Sequence, residues 1–266
     1  MVFLYNNRQD IYMKNKGYTK IIQITDLHLC EDKTRVSFDI NTFDSAKKMI
    51  ERIHESEADS DLIVISGDIS DDGSESSYSH LTEIVSPIEI PFYLMPGNHD
   101  SVEKIREFSR HKNLNSKLYL EENPWFIFMF NTKKDGSPNG YLKNDEIEIF
   151  KKVLDENEEK YFMVFLHHHP VKIGSPSMDK MVIENAELLL DVIKNTESVH
   201  GVSWGHVHNV YETQLNNAQL FSTPSTCYQS KPRSETFIID ENEKPGYRVI
   251  KLLDSGELES QVVRLA

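Results

Sequence analysis

The sequence predicts an α/β fold, a four-layer αββα sandwich in which two mixed β-sheets pack face to face and helices cover their outer faces. Three observations lead there. Short apolar runs alternate with helical patterns through the first two thirds of the chain; five of those runs stop at a polar cluster; and from about Tyr211 onward the pattern becomes short strands separated by turn residues.

Taken in order, the first run, 20–25, stops at Asp26, and a helical stripe follows in which Phe43, Ala46, Ile50 and Ile53 share one face of 41–54. The run 62–66 stops at Gly67-Asp68, and Tyr78, Leu81, Ile84 and Val85 form the next stripe after Ser74. The run 91–96 ends at Gly97-Asn98, the block from Trp125 to Phe130 has the composition of core, and Ile147, Phe150 and Leu154 mark a third helix. The runs 161–166 and 199–204 stop at His167 and at Gly205-His206, with a fourth stripe, Ala186, Leu189, Leu190 and Ile193, between them. Such runs, rich in Val, Ile, Phe and Tyr and bounded by Gly or Pro, are buried strands. Beyond them strands are expected at 211–215, 219–222, 236–239, 246–253 and 258–265, with Asn216-Asn217 and Ser255-Gly256 as hairpin turns. No internal repeat and no long Gly/Ser or Pro linker interrupts the chain, so 1–266 reads as one domain that includes the hairpin region 211–266.

Composition narrows the function. The 43 acidic and 29 basic side chains leave a net charge of −14, which opposes binding to nucleic acid, where Lys and Arg must neutralise phosphates. The longest apolar blocks fall short of the roughly 20 residues of a membrane helix. Met1 to Tyr5 is followed at once by Asn6, Asn7, Arg8 and Asp10, so the apolar core of a signal peptide is missing and a cytoplasmic protein without a membrane partner is expected. Cys30 and Cys227 lack CxxC spacing, which argues against a disulfide framework or zinc knuckle, although Cys30 lies close enough to the first polar cluster to be sensitive to oxidation.

Ligands of open α/β sheets bind beyond the carboxyl ends of the strands, where all five clusters fall. These are Asp26-Leu-His28, Gly67-Asp68, Gly97-Asn-His-Asp100, His167-His-His-Pro170 and Gly205-His-Val-His208. Their oxygen and imidazole donors suit Mn, Fe or Zn. Asp26 with His28, and His206 with His208, are two apart, the spacing at which side chains on extended backbone point the same way. Singly, the first two clusters are ordinary, since an Asp and a His two apart occur in many solvated loops and Gly-Asp is a common turn. Three adjacent imidazoles cannot all face one ion, so one ligand is expected within 167–169, with His168 and His169 beside the site. The third and fifth clusters are more specific, because each joins a glycine that permits close backbone approach to two potential ligands. His54, His80 and His111 read as exposed on helical patterns, and His200 as packed on a strand.

In this order the clusters resemble the calcineurin-like metallophosphoesterase superfamily, binuclear enzymes that hydrolyse phosphomonoesters or phosphodiesters. More narrowly, Gln23-Ile-Thr-Asp-Leu-His-Leu29, His167-His-His-Pro-Val171, Gly205-His-Val-His208, Thr223-Pro-Ser-Thr-Cys-Tyr-Gln229 with Lys231-Pro232, and Pro245-Gly-Tyr-Arg248 resemble the bacterial class III cyclic-nucleotide phosphodiesterases, along about 20–265. The resemblance implies that Asp26, His28, Asp68 and His208 hold one metal and Asp68, Asn98, His167 and His206 the other, with Asp68 bridging. It implies two divalent or mixed-valence ions, iron or manganese first and zinc second. His99, a non-ligand, would be the catalytic residue that faces the substrate with Asn98 and protonates the leaving oxygen, and Asp71 or Asp100 would hold its charge and tautomer. The implied reaction is conversion of 3′,5′-cyclic AMP to 5′-AMP by metal-activated hydroxide. Glycerophosphodiesters, 2′,3′-cyclic nucleotides and nucleotide-lipid diphosphates are the alternative substrates, and an inactive scaffold the distant alternative. In the related serine/threonine phosphatases the second motif continues with a phosphate-gripping arginine; Asp72 stands there in this chain, which argues against phosphoprotein substrates. The hairpins after Tyr211 offer edges for a homodimer.

Overall fold

Strand β1 (Tyr18–Ile24) shows the plan of the molecule, because Ile22 and Ile24 belong to one core and Ile21 to another. The computed structural model describes residues 16–111, 113–122 and 124–266, so the reading of Met1 to Tyr5 lies outside the described residues. After β1 come a short ribbon of β2 (Val36–Ser37) and β3 (Ile40–Asn41), helix α1 (Thr42–Ser56), β4 (Leu62–Ser66), α2 (Glu75–Val85), β5 (Phe92–Met95) and α3 (Val102–Phe108). The chain continues through β6 (Leu114–Asn115), β7 (Tyr119–Glu122), β8 (Trp125–Met129), α4 (Asn144–Glu156), β9 (Tyr161–Phe165), α5 (Glu187–Lys194) and β10 (Val199–Trp204). Two hairpins follow, β11 (Glu212–Leu215) with β12 (Ala218–Ser222) and β13 (Gly246–Leu253) with β14 (Leu258–Arg264).

The first sheet has the order β14-β13-β1-β4-β5-β6 and the second β11-β12-β10-β9-β8-β7. Both are mixed: β1, β4, β5 and β6 run parallel while β13 and β14 are antiparallel, and β8, β9, β10 and β12 run parallel between antiparallel β7 and β11. Period-two alternation sorts the strand residues into three layers of core. Ile63 and Ile65 meet α1, α2 and α3 through Met49, Leu81 and Ile105; Phe128 and Val164 meet α4 and α5 through Phe150 and Leu189; and Ile21, Val64, Met95, Trp125, Ile127 and Phe165 fill the space between the sheets. This is the αββα sandwich expected.

Helix starts follow their caps. Asn41 accepts from the Asp44 amide, Ser74 from Ser77 and Ser101 from Lys104. The expected strand at 236–239 is absent; only a lone bridge joins Ser230 to Ile239, because the neighbouring residues are exposed and no second strand pairs with them. His80 is half-buried, not exposed, and bonds the Cys30 carbonyl at 3.0 Å, while His111 is exposed but follows the end of α3.

Candidate metal centre

The five polar clusters converge beyond the ends of β1, β4, β5, β9 and β10. The backbone there is not the extended chain that two-apart spacing suggested. Asp26, His28, Asp68, His206 and His208 all adopt left-handed φ, between 47° and 65°, a conformation that side chains other than Gly, Asn and Asp seldom take and that gathers at functional sites. Hydrogen bonds over-determine it. The amides of Asp26, His28 and Leu29 donate to the carbonyls of Gly67, Asp68 and Ile69 at 3.0, 2.9 and 2.9 Å, and the His206 amide donates to Asp26 Oδ2 at 3.0 Å.

Two glycines make room. A Cβ at Gly67, whose φ is 100°, would lie 2.3 Å from His167 Nδ1, and one at Gly97 would lie 2.2 Å from Asp68 Oδ1.

The donors fall into two sets that meet at Asp68. His208 Nε2 lies 3.2 Å from both Asp26 Oδ1 and His28 Nε2, and His28 Nε2 is 3.9 Å from Asp68 Oδ2. On the other side His167 Nε2 is 3.3 Å from Asp68 Oδ2 and 3.2 Å from Asn98 Oδ1. His206 groups with His167 and His168, not with Asp26, so the two members of Gly205-His-Val-His208 serve opposite sides. His168, read as lying beside the site, brings a ring nitrogen within 4.8 Å of those of His167 and His206. Its Nδ1 meets Thr132 Oγ1 at 2.8 Å, and His169 comes no nearer to a carboxylate than 3.8 Å, from Asp179.

The inward nitrogens are prepared as ligands. His28 Nδ1 meets Asp71 Oδ1 at 2.9 Å, His208 Nδ1 the Tyr228 carbonyl at 2.9 Å, and His167 Nδ1 the Ser66 carbonyl at 2.8 Å. Each Nδ1–H thus has an acceptor, which turns a lone pair on Nε2 inward. Two such Nε2 atoms 3.2 Å apart, with Asp26 Oδ1 and His206 Nε2 buried and without any hydrogen-bond partner, repel one another unless a cation or a shared proton lies between them. The donor set therefore fits divalent metal ions.

Electrostatics without metal point the same way. Burial alone would raise the Asp26 carboxyl, yet His208 and His167 hold it at about 2, and Asp68 is held well below the usual range by His167 and His28. Burial lowers His206 and His168 well below the ordinary imidazole value, whereas the carboxylate of Asp68 overrides burial at His167 and lifts it to about 9.

His99 differs from the rest. Its side chain is 40% exposed, against 0–6% for the histidine rings just named. Its Nδ1 meets the Asp71 carbonyl at 3.0 Å and Asp71 Oδ1 at 3.6 Å. Of the two carboxylates considered for this ring, Asp100 instead takes the amides of Ile69, Ser70 and Gly97 and the Tyr78 hydroxyl at 2.9–3.1 Å, fixing the two loops to each other. Asp72, in the place of the phosphatase arginine, caps the amides of Glu31 and Ser74. Sequence reasoning missed Lys133, whose Nζ donates to the Asn98 carbonyl at 2.7 Å, and Tyr228, whose ring stacks on His208 at 4.8 Å. No local motif marks Lys133, and Tyr228 stands within the segment 223–229 without a role assigned to it there.

Residues 19–210 match the calcineurin-like phosphoesterase family. The chain is a calcineurin-like phosphoesterase. Members of this family are hydrolases that depend on two metal ions. The phosphoesterase is 32% identical over 246 residues to the 3′,5′-cyclic adenosine monophosphate phosphodiesterase CpdA of Pseudomonas aeruginosa, across 92% of this chain and 89% of that one. To the 3′,5′-cyclic-nucleotide phosphodiesterase alr5338 of Nostoc it is 29% identical over 253 residues, across 95% of each. Its fold is shared with a dimetal phosphatase from Danio rerio, at a TM-score of 0.62 and 13% identity over 93% of this phosphoesterase and 99% of that chain. Among the described residues no helix is long and apolar enough to cross a membrane.

Proposed function

We propose that this phosphoesterase hydrolyses 3′,5′-cyclic AMP to 5′-AMP. The observation that carries the reading is the arrangement around Asp68: two buried donor sets meet at its Oδ2, and one exposed imidazole, His99, stands beside them. The names of the relatives, which align along most of the chain, support the substrate.

Asp26, His28, Asp68 and His208 would hold one divalent ion and Asp68, Asn98, His167 and His206 the other, with iron or manganese ahead of zinc for this oxygen and nitrogen set. When bound, such a pair supplies positive charge to phosphate oxygens and acidifies water. Hydrolysis adds water across the bond between phosphorus and the 3′-oxygen: the water oxygen joins phosphorus and gives up a proton, and the 3′-oxygen leaves and takes one. His99 donates that proton from Nε2, since its Nδ1–H is tied to the Asp71 carbonyl, with the Asp71 carboxylate 3.6 Å away. The hydrogen bond from His28 keeps Asp71 ionised, below the usual carboxylate range. Asn98 directs Oδ1 toward His167 and its NH₂ group toward a phosphate oxygen, with its backbone pinned by Lys133.

A cytoplasmic site of action belongs to the proposal and is supported by two free cysteines. So does a homodimer paired along β11 or β14, the edge strands that the hairpins after Tyr211 contribute to the two sheets; sedimentation at monomer mass would overturn that part.

The deciding assay follows 3′,5′-cyclic AMP, 2′,3′-cyclic AMP and an aryl phosphodiester with chelated protein and after restoring Mn²⁺ or Fe²⁺. The expected result is 5′-AMP formed only with metal and at the highest kcat/KM of the three. Cleavage of the aryl diester without cyclic AMP turnover overturns the substrate, and no cleavage with two metals bound overturns the hydrolase.

A further inference from the structure

Exposed apolar side chains are concentrated beside the metal centre. Of the seven large hydrophobic side chains exposed among the described residues, four, Val36, Phe38, Phe237 and Ile238, lie on two segments that meet through Phe38 and Phe237, whose rings are 6.1 Å apart and tilted by 48°. A continuous run of rings links them to the donors. Tyr228, only 9% exposed, stacks on His208 at 4.8 Å and 25° and packs against Phe38 at 4.7 Å, while Phe237 itself is 6.3 Å from the His208 ring.

The position of Phe38 is costly. Phe38 and Asp39 form the turn between β2 and β3 with φ of 50° and 62°, a geometry that favours Asn, Asp or Gly and disfavours a bulky side chain. It places a ring that is 55% exposed at a tip beside the catalytic centre, where no core packing requires one.

We infer that Phe38 and Phe237 form the platform on which the purine base of the nucleotide lies while its phosphate rests at the metal centre. This rests on the cyclic-nucleotide reading and deepens it. Stacking uses the π-face that every base carries, and an apolar surface suits the one part of a cyclic nucleotide that is neither charged nor hydroxylated. Purines, having the larger face, gain more than pyrimidines.

The test compares wild-type protein with Phe38→Ala, Phe237→Ala and the double variant, using cyclic AMP and cyclic CMP, with metal content and thermal stability recorded for each. The expected result is a rise of about tenfold in KM for cyclic AMP in the double variant, within the range that loss of a base–aromatic stack produces. Its kcat should stay within about twofold, and the preference for cyclic AMP over cyclic CMP should shrink. Phe38→Tyr, which keeps the π-face, should retain the wild-type KM; retention by Phe38→Tyr with loss in Phe38→Ala separates stacking from misfolding. Wild-type turnover of cyclic AMP with an unchanged KM in the double variant overturns the platform and leaves the reaction standing. A wild-type enzyme that cleaves an aryl phosphodiester but neither cyclic nucleotide overturns both. Dissociation of a dimer by the double variant with KM unchanged assigns the patch to a second copy and also overturns the platform.

Discussion

At the scale of single residues, Asp71 carries more than its position in a turn suggests. Its carboxylate anchors His28, its carbonyl anchors His99, and Arg35 Nη2 pairs with its second oxygen at 3.0 Å, so one residue sets the orientation of a proposed ligand and of the proposed acid. Asp71→Asn keeps the shape but removes the charge that His28 and His99 face. We expect metal affinity or kcat to fall by about 10- to 100-fold, the usual cost of losing a carboxylate behind a ligating histidine, as measured by metal titration and steady-state kinetics; unchanged values for both would show that the Asp71 charge is dispensable.

His167 yields a prediction for the metal-free chain. Burial works against its charge, but Asp68 raises it from 6.5 to about 9. The protonated pair therefore stabilises the fold fully below pH 6.5, and this contribution is lost as pH rises through about 9. Thermal melting of the chelated protein should decline between those values, with a shallower slope in His167→Asn. A melting temperature that is flat across the window would contradict the pairing.

Among the elements, the strand ends were the most legible part of the sequence. Val, Ile and Phe runs that stop at Gly, Asp or His mark the point where a parallel strand leaves the sheet, and β1, β4, β5, β9 and β10 all end there. α3 was not legible, because seven residues with two buried side chains, Ile105 and Phe108, are too few to show a period. The expected strand at 236–239 had the right residue types, but composition does not reveal whether a partner is available. Side-chain direction at 26–28 and 206–208 was inferred from an extended backbone, and the actual left-handed turns depend on hydrogen bonds from loops distant in sequence. The tight fit between neighbouring loops can be tested. Gly97→Ala would place a methyl group within 2.2 Å of Asp68 Oδ1, displacing the carboxylate that both donor sets share; kcat/KM should drop by about 100-fold or more, and activity within threefold of wild type would show that the loops yield freely.

On the scale of the whole molecule, the two sheets are joined by polar as well as apolar contacts. Gln23, fully buried on β1, donates to Ser66 Oγ at 2.8 Å in its own sheet and, across the interface, accepts from Ser203 Oγ on β10 of the facing sheet and from Thr223 Oγ1, just after β12, at 2.7 Å. Gln23→Leu conserves volume but leaves three hydroxyls without that partner. A loss on the order of 3 kcal/mol is expected, at about 1–3 kcal/mol for each buried group left unpaired, read from the midpoint of urea unfolding; a change below about 0.5 kcal/mol would mean that the hydroxyls find other partners.

The convergence of both sheets on one centre also bears on biosynthesis. The proposed ligand sets run from Asp26 to His208, and each draws on both sheets, so neither is complete in a nascent chain that ends before β10. On these proposed sets, metal loading of the phosphoesterase would follow synthesis of most of the chain: an emerging N-terminal half carries Asp26, His28 and Asp68 without the imidazoles that complete either set, and the choice of metal would fall to the nearly finished fold.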